Sequence, residues 1–186
     1  MRKIELREAY RSKRKKLSFE TIQSQSLKIS NNILQMNIWS FFYYHVFLTI
    51  TESKEVDTAY LLTLLHGKDK NVIIPKTKGE KQLEHFLLTD STLLKKNKWN
   101  IPEPVNGIRI DEKQLEVVFI PLLAFDLKGN RVGYGKGFYD TFLKKCNSNV
   151  VKIGLSFFEA EREIEDIDKH DIPLDYCVTP EKVYKF

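Results

Sequence analysis

The sequence predicts an α/β protein with a mainly parallel central sheet and helices on both faces. Apolar runs rich in β-branched and aromatic residues alternate with segments of helical periodicity, the pattern of strands joined by crossover helices. The chain has 186 residues, of which 42% are hydrophobic, so it can bury one sizeable core. No repeat, low-complexity linker or domain boundary interrupts it. We therefore expect residues 1–186 to form a single domain with a basic N-terminal helix.

The first 34 residues predict two helices. Residues 1–17 contain strong helix formers and neither glycine nor proline, which favours a mostly polar helix with Ile4 and Leu6 available for docking. Ser18 is a good N-cap for a second helix. The second helix should present a stripe at alternating spacings of three and four residues, made up of Phe19, Ile22, Ser26, Ile29 and Ile33.

Aromatic and β-branched runs predict the strands. Residues 41–50 should form a buried strand, followed by a helix that Asp57 caps and that stops at Gly67. Two prolines and a glycine within residues 95–107 predict a loop. Further strands are expected at residues 71–75, 82–88, 117–121, 150–158 and 176–180, and further helices at residues 138–146 and 159–167.

Charge and cysteine content narrow the range of functions. The net charge is +5, but residues 1–16 alone carry +6, so the difference leaves −1 for the rest of the chain. A nucleic-acid-binding module would therefore depend on one basic segment. Cys146 and Cys177 are best explained as reduced thiols. With no secretory signal and no apolar run long enough to span a bilayer, we expect a cytoplasmic monomer that binds neither nucleic acid nor membrane.

A glycine-rich loop is the most informative local feature. In GNRVGYGKGFYDTFL, residues 129–143, Gly133, Gly135 and Gly137 alternate, yet the spacing matches neither the dinucleotide fingerprint nor the P-loop. Alternate glycines still allow successive N–H groups to converge on one anion, and a helix beginning near Gly137 would add its positive end. The loop therefore predicts a phosphate site.

Charged residues within the same loop support this prediction. Arg131 and Lys136 supply full positive charges. Asp140 lies in the first turn of the predicted helix, where a carboxylate could also hold a divalent cation on a phosphate. The alternative is a plain turn with a capping aspartate, which needs one or two glycines and not three alternating with a cation.

Other candidate site residues are scattered along the chain. Glu55 follows the first long strand and should lie at the same edge of the sheet as the glycine loop. Asp171 or Asp175 could provide a second carboxylate near a metal, although a surface loop is the more ordinary explanation. Lys3 and Arg7, four residues apart on a helix, could grip a polyphosphate or form a solvated face.

The run FIPLLAFDLKGNRVGYGKGFYDTFL, residues 119–143, closely resembles the signature of the 5-formyltetrahydrofolate cyclo-ligases, also called methenyltetrahydrofolate synthetases. The resemblance extends over nearly the whole chain, because further motifs follow in the order of that family. These motifs are Lys3 with Arg7, EVDT at 55–58, IPK at 74–76, WNIPEP at 99–104, KIGLSF at 152–157 and HDIPLD at 170–175.

The resemblance implies an ATP- and Mg²⁺-dependent enzyme that converts 5-formyltetrahydrofolate to 5,10-methenyltetrahydrofolate and releases ADP and phosphate. It implies ATP contacts at Lys3, Arg7, Arg131, Val132, Gly133, Tyr134, Gly135, Lys136, Gly137, Phe138 and Tyr139. It implies folate contacts at Ile50, Glu55, Tyr134, Gly135, Lys136, Gly137 and Phe138. Asp140 and Asp171 would be the metal ligands, and Lys136 and Arg131 the catalytic cations. Phe138 stands where many relatives have tyrosine, and this departure keeps an aromatic ring at the position.

Three other functions remain open from the sequence. The phosphate loop could serve a nucleotide-dependent phosphotransferase with a different acceptor. The basic N-terminus could bind nucleic acid. The protein could also bind folate without converting it.

Trp99 could stack on a flat ligand ring, although packing in the core is its more ordinary role.

Overall fold

A computed structural model describes residues 1–186 and contains four α-helices, a seven-stranded sheet and two small two-stranded sheets. The helices are α1 (Lys3–Lys15), α2 (Phe19–Leu34), α3 (Ala59–Gly67) and α4 (Phe138–Leu143). The strands of the large sheet are β1 (Tyr43–His45), β2 (Asn71–Lys78), β3 (Gln82–Leu87), β6 (Val117–Pro121), β9 (Val151–Leu155), β10 (Tyr176–Val178) and β11 (Val183–Lys185). The small sheets pair β4 (Leu94–Lys96) with β5 (Pro102–Pro104), and β7 (Ala124–Phe125) with β8 (Arg131–Val132).

The large sheet has the strand order β11-β10-β9-β6-β1-β2-β3. Its five inner strands are mutually parallel, whereas β3 and β11 pair antiparallel at the two edges. The predicted α/β fold class with a mainly parallel sheet is confirmed. Because ligands of such sheets bind beyond the carboxyl ends of the parallel strands, the segments that follow β1, β2 and β6 are where a site is expected.

Helices cover both faces of the sheet. Along β6, Val117 and Phe119 face a core cluster that includes residues of α2 and α3, while Val118 and Ile120 face a second cluster with residues of α4. This alternation is the two-residue period of a strand buried on both sides. A third, smaller cluster fixes α1 through Leu6. No helix combines the length and the apolar character that crossing a membrane requires.

The predictions for the first two helices are largely confirmed. Ser18 accepts a hydrogen bond from the Thr21 N–H at 3.1 Å and so caps α2. Leu6 is fully buried, but Ile4 is 61% exposed and does not dock. The stripe on α2 begins later than expected, because Phe19 is 70% exposed.

The expected strand over residues 41–50 is only three residues long. It ends at His45, and only the Val46 N–H continues the pairing, with the Ile73 carbonyl at 2.8 Å. The next residues leave the sheet. The N-cap residue of α3 is Thr58, one residue later than predicted, although the Asp57 carboxylate does accept a hydrogen bond from the Ala59 N–H at 3.0 Å. Helix α3 ends at Gly67, as predicted.

The predicted loop at residues 95–107 is wrong, because β4 and β5 form a hairpin within it. Pro102 and Pro104 lie in β5, which has β4 as its only strand partner. Prolines are tolerated there because an edge strand does not need every N–H for its ladder. The strand β11 was not predicted at all.

The predicted helix at residues 159–167 is also wrong. Its backbone groups pair with distant segments and not with each other: the Glu161 N–H donates to the Phe125 carbonyl at 2.8 Å, and the Glu165 N–H donates to the Met1 carbonyl at 3.2 Å. The Ile164 N–H donates to the Asp126 carboxylate at 3.1 Å. Tertiary pairing has overridden a local helix propensity. The helix expected over 138–146 is real but ends at Leu143.

Candidate active site

A cavity of about 460 Å³ lies beyond the carboxyl ends of the parallel strands. The segment that follows β1 and the carboxyl-terminal residues of β2 and β6 line it, α1 and the glycine loop form one side, and the hairpins β2–β3 and β4–β5 form the other. This is the position at which open α/β sheets bind ligands.

The cavity brings together nearly all the site residues that were proposed from the sequence. It is lined by Lys3, Arg7, Ile50, Glu55, Arg131, Gly133, Tyr134, Gly135, Lys136, Gly137, Phe138, Tyr139, Asp140 and Asp171. Val132 is the exception, because its side chain is fully buried in the cluster that contains Leu6. Asp171 reaches the cavity and Asp175 does not, since the Asp175 carboxylate is paired with Lys152 at 2.8 Å.

The backbone of the glycine loop explains two of its three glycines. Gly135 and Gly137 have φ values of +95° and +73°, in the left-handed region that favours glycine. A Cβ at Gly135 would also come within 3.3 Å of the Arg7 guanidinium. Gly133 has no such constraint, but its carbonyl accepts a hydrogen bond from Arg7 Nε at 3.0 Å. Helix α1 is therefore held directly against the loop.

The two cations of the loop have different environments. Lys136 is exposed, and its Nζ lies 3.8 Å from the ring centroid of Trp99. Arg131 is only 8% exposed, and its guanidinium donates to Asp140 Oδ1 at 2.7 Å and to the Ile172 carbonyl. Burial lowers the pKa of Arg131, and the Asp140 carboxylate opposes that shift. Lys136 is thus the freer of the two charges to contact a ligand.

Two carboxylates could hold a metal at the cavity. The hydrogen bonds and the ion pair of Asp140 all involve Oδ1, and those of Asp171, with Lys3 and the Asp168 N–H, all involve Oδ2. Each carboxylate keeps a second oxygen outside these bonds. Side chains alone form no cluster of three or more metal-ligating groups. This donor set fits Mg²⁺, which binds proteins through one or two carboxylates and completes its shell with water and substrate phosphates.

A buried hydrogen-bond chain connects α1 to Glu55. Arg14 Nη1 donates to the Tyr134 hydroxyl at 2.7 Å, and that hydroxyl donates to Glu55 Oε1 at 2.5 Å. The Ile50 N–H donates to Glu55 Oε2 at 2.7 Å. Burial raises the pKa of Glu55, and these two hydrogen bonds and the Arg14 charge oppose the shift. Burial likewise raises the pKa of Tyr134.

Sequence reasoning missed Arg14, although a signal was present. Lys3, Arg7, Arg11 and Arg14 follow one another at spacings of four, four and three residues, which places them on one helix face. The first three line the cavity, and Arg14 is buried behind it at 3% exposure.

The second wall of the cavity was also missed. The hairpin β2–β3 contributes Thr77 and Leu83, and the hairpin β4–β5 with its turn contributes Trp99, Ile101 and Glu103. The expectation that Trp99 packs in the core is wrong, because Trp99 is 36% exposed at the cavity. This wall was not predicted, because residues 95–107 were expected to form a loop.

Comparison with known proteins identifies the family. The model of the 5-formyltetrahydrofolate cyclo-ligase family matches residues 1–180. The chain belongs to the 5-formyltetrahydrofolate cyclo-ligase family. It is accordingly an enzyme of the cyclo-ligase class, and ligase activity and folate metabolism are properties of this family.

Individual relatives agree with this membership. The chain is 35% identical over 202 residues to a probable 5-formyltetrahydrofolate cyclo-ligase of Schizosaccharomyces pombe, covering 100% of this chain and 98% of the relative. It is 31% identical over 183 residues to the 5-formyltetrahydrofolate cyclo-ligase of mouse, covering 91% and 89%. The solved structure of Aquifex aeolicus 5,10-methenyltetrahydrofolate synthetase superposes with a TM-score of 0.84 at 32% identity, covering 100% of this chain and 93% of that one.

Proposed function

We propose that this cyclo-ligase converts 5-formyltetrahydrofolate to 5,10-methenyltetrahydrofolate with ATP and Mg²⁺ and releases ADP and phosphate. The observation that carries the proposal is that one cavity joins a cationic helix and glycine loop on one side to a buried carboxylate and flat apolar walls on the other. The first set of groups suits polyphosphate, and the second suits a pteridine ring.

The ATP phosphates bind between α1 and the glycine loop. Lys3 and Arg7 line the cavity from the helix, and Arg7 contacts the loop at the Gly133 carbonyl. The backbone from Arg131 to Tyr139 would supply the facing N–H groups. Lys136 contacts the transferring phosphoryl group directly. Arg131 adds positive charge near the phosphates without leaving its buried position, and its hydrogen bond keeps Asp140 in place. Val132 contributes through its backbone, because its side chain is buried.

Asp140 and Asp171 would hold the metal through the oxygens that the chain leaves unused. When bound, Mg²⁺ neutralises charge on the ATP phosphates, which is the main requirement of phosphoryl transfer. Asp171 is held by Lys3, and Asp140 is held by Arg131, so both ligands are fixed by neighbouring cations before ATP binds.

The folate lies across the remaining cavity. Ile50 and Glu55 contact the pteridine from the segment after β1, and the glycine loop from Tyr134 to Phe138 is shared between folate and nucleotide. Glu55 can still accept hydrogen bonds from substrate N–H groups, because each of its oxygens has a lone pair beyond the one that the chain uses.

The reaction requires the formyl oxygen to become a leaving group. The formyl oxygen attacks the γ-phosphorus of ATP, the bond to the β–γ bridging oxygen breaks, and ADP leaves. The neighbouring folate nitrogen, N10, then attacks the formyl carbon and loses its proton, and the carbon–oxygen bond breaks to release phosphate. The protein supplies positioning and charge neutralisation, and no protein nucleophile takes part.

We also propose that the enzyme is a cytoplasmic monomer. Both cysteines are free thiols, which is usual in a reducing compartment. Burial raises the pKa of Cys146 to about 12, so this thiol stays protonated near neutral pH and is a poor nucleophile.

The test is a direct assay. Purified protein is mixed with 5-formyltetrahydrofolate, Mg²⁺ and ATP, and the near-ultraviolet absorbance of the methenyl product is followed beside a control without ATP. We expect a rise that requires ATP. Folded protein that binds ATP but forms no methenyl product would refute the proposal and indicate a phosphotransferase with a different acceptor.

A further inference from the structure

Glu103 is a second buried carboxylate at the cavity, on the wall opposite the glycine loop. It lies in β5 and is only 8% exposed. Its Oε1 accepts three hydrogen bonds: from the Thr77 N–H at 2.8 Å, from the Thr77 hydroxyl at 2.6 Å and from the Asn97 side-chain amide at 2.9 Å. These bonds fix the position of the carboxylate through one oxygen only.

The other oxygen, Oε2, has no partner within the chain. It takes part in no hydrogen bond, and it is not among the fully enclosed polar atoms that lack one, so solvent or a ligand in the cavity can reach it. No cation forms an ion pair with Glu103, although Lys95 lies opposite it in the β4–β5 register. A nearly buried carboxylate without a cation is unfavourable unless its charge is met by donors.

The surroundings of Glu103 indicate what kind of donor it meets. Trp99 and Ile101 precede it on the same hairpin, and Pro75 and Leu83 line the cavity from the neighbouring one. Such apolar and aromatic walls suit the faces of a flat ring. An acceptor at one end of these walls suits the N–H edge of that ring.

We propose that Glu103 Oε2 accepts a hydrogen bond from the 2-amino edge of the bound pteridine, which makes Glu103 a substrate-binding residue in addition to Glu55. This inference rests on the proposed function, since it assumes a formylated folate in the cavity. Glu103 differs from Glu55 because both oxygens of Glu55 already accept hydrogen bonds from the chain. Glu103 has one oxygen that accepts no hydrogen bond from the chain and is open to a ligand.

Glu103→Gln tests the inference without disturbing the wall. The amide carbonyl can still accept from Thr77 and Asn97, while the group facing the cavity changes from an acceptor to a donor. Thermal unfolding should therefore match the wild type. We expect kcat/KM for 5-formyltetrahydrofolate to fall about 10- to 100-fold, the usual effect of losing a hydrogen bond to a charged group. The KM for ATP should not change. Glu52→Gln is the matched control, because Glu52 is exposed, pairs with Lys96 and does not line the cavity.

A substrate analogue locates the hydrogen bond. The 2-desamino-2-methyl analogue of 5-formyltetrahydrofolate lacks the donor, so wild-type enzyme should use it about 10- to 100-fold less well than the natural substrate. The Glu103→Gln variant should use both compounds equally well. The inference is overturned if Glu103→Gln leaves kcat/KM unchanged, or if the analogue is penalised as strongly in the variant as in the wild type. Wild-type enzyme that neither binds nor cyclises 5-formyltetrahydrofolate would overturn the proposed function itself, and this inference with it.

Discussion

Replacing Arg14 with methionine tests whether α1 stabilises the buried carboxylate of Glu55. Arg14 is 3% exposed, and its two terminal nitrogens donate to the Tyr134 hydroxyl and to the Leu122 carbonyl. Its Nε has no partner, so methionine replaces the buried stem and removes only the two hydrogen bonds and the charge. Two hydrogen bonds from a charged group suggest a loss of about 3 kcal/mol in the free energy of unfolding near pH 8.

The loss should depend on pH because Glu55 titrates. Burial raises the pKa of Glu55 above its ordinary value of 4.5, so the folded state holds this proton more tightly than the unfolded state. Ionising Glu55 therefore lowers stability as the pH rises from about 4.5 through the folded pKa. The Arg14 charge reduces that loss. Arg14→Met should thus destabilise the protein more at pH 8 than at pH 5.

The assay is urea denaturation, followed by circular dichroism at both pH values. In a Glu55→Gln background, the loss of stability caused by Arg14→Met should no longer depend on pH, because there is no carboxylate to ionise. Arg11→Met is the matched control on the same helix, since Arg11 is exposed, and it should change stability by less than about 0.5 kcal/mol. Equal losses at both pH values and in both backgrounds would refute a role for the Arg14 charge in stabilising ionised Glu55.

Three further predictions concern the loop, the metal site and the core. Lys136→Ala should lower kcat/KM about 100-fold, as expected when a charge that contacts the transferring phosphoryl group is lost. It should change the free energy of unfolding by less than about 1 kcal/mol, because this lysine is exposed. A variant that is inactive only because it unfolds would contradict this prediction. Asp140→Asn should shift the Mg²⁺ titration of activity to higher concentrations, whereas Asp175→Asn, outside the cavity, should not; identical titrations would remove Asp140 from the metal site. Burial lowers the pKa of His85 from 6.5 to about 4, so the stability of the wild type should decline as the pH falls through this interval. His85→Leu should flatten that decline in thermal scans. An unchanged pH profile would show that His85 does not take up a proton on unfolding.

Much of the fold could be predicted because its signals are local. The residues of β6 are a continuous apolar run, and Ser18 caps α2 through an atom three residues away. The elements that were mispredicted depend on distant partners. Residues 159–167 bond to the turn after β7 and to Met1, and β5 exists only through its pairing with β4. No local periodicity records such contacts.

The candidate site divides in the same way. The glycine loop was found because its glycines and charges lie within ten residues. Glu55 and Asp171 were candidates by their positions, and the resemblance to a family assigned their roles and added Ile50. Arg14 and Glu103 were not found, because each acquires its role from a residue far along the chain. Arg14 meets Tyr134 across 120 residues, and Glu103 is held by Thr77 across 26.

The sequence by itself determined the fold class, the order of most strands and helices, the position of the glycine loop and the family, since these depend on composition, spacing and motif. Only the tertiary structure decided which charges are free and which are already paired. Arg131 and Lys136 are both cations of one loop, yet one is buried against Asp140 and the other is exposed beside Trp99. Burial and the distance to a partner set the strength of a charge in a protein, and neither can be read from residue type.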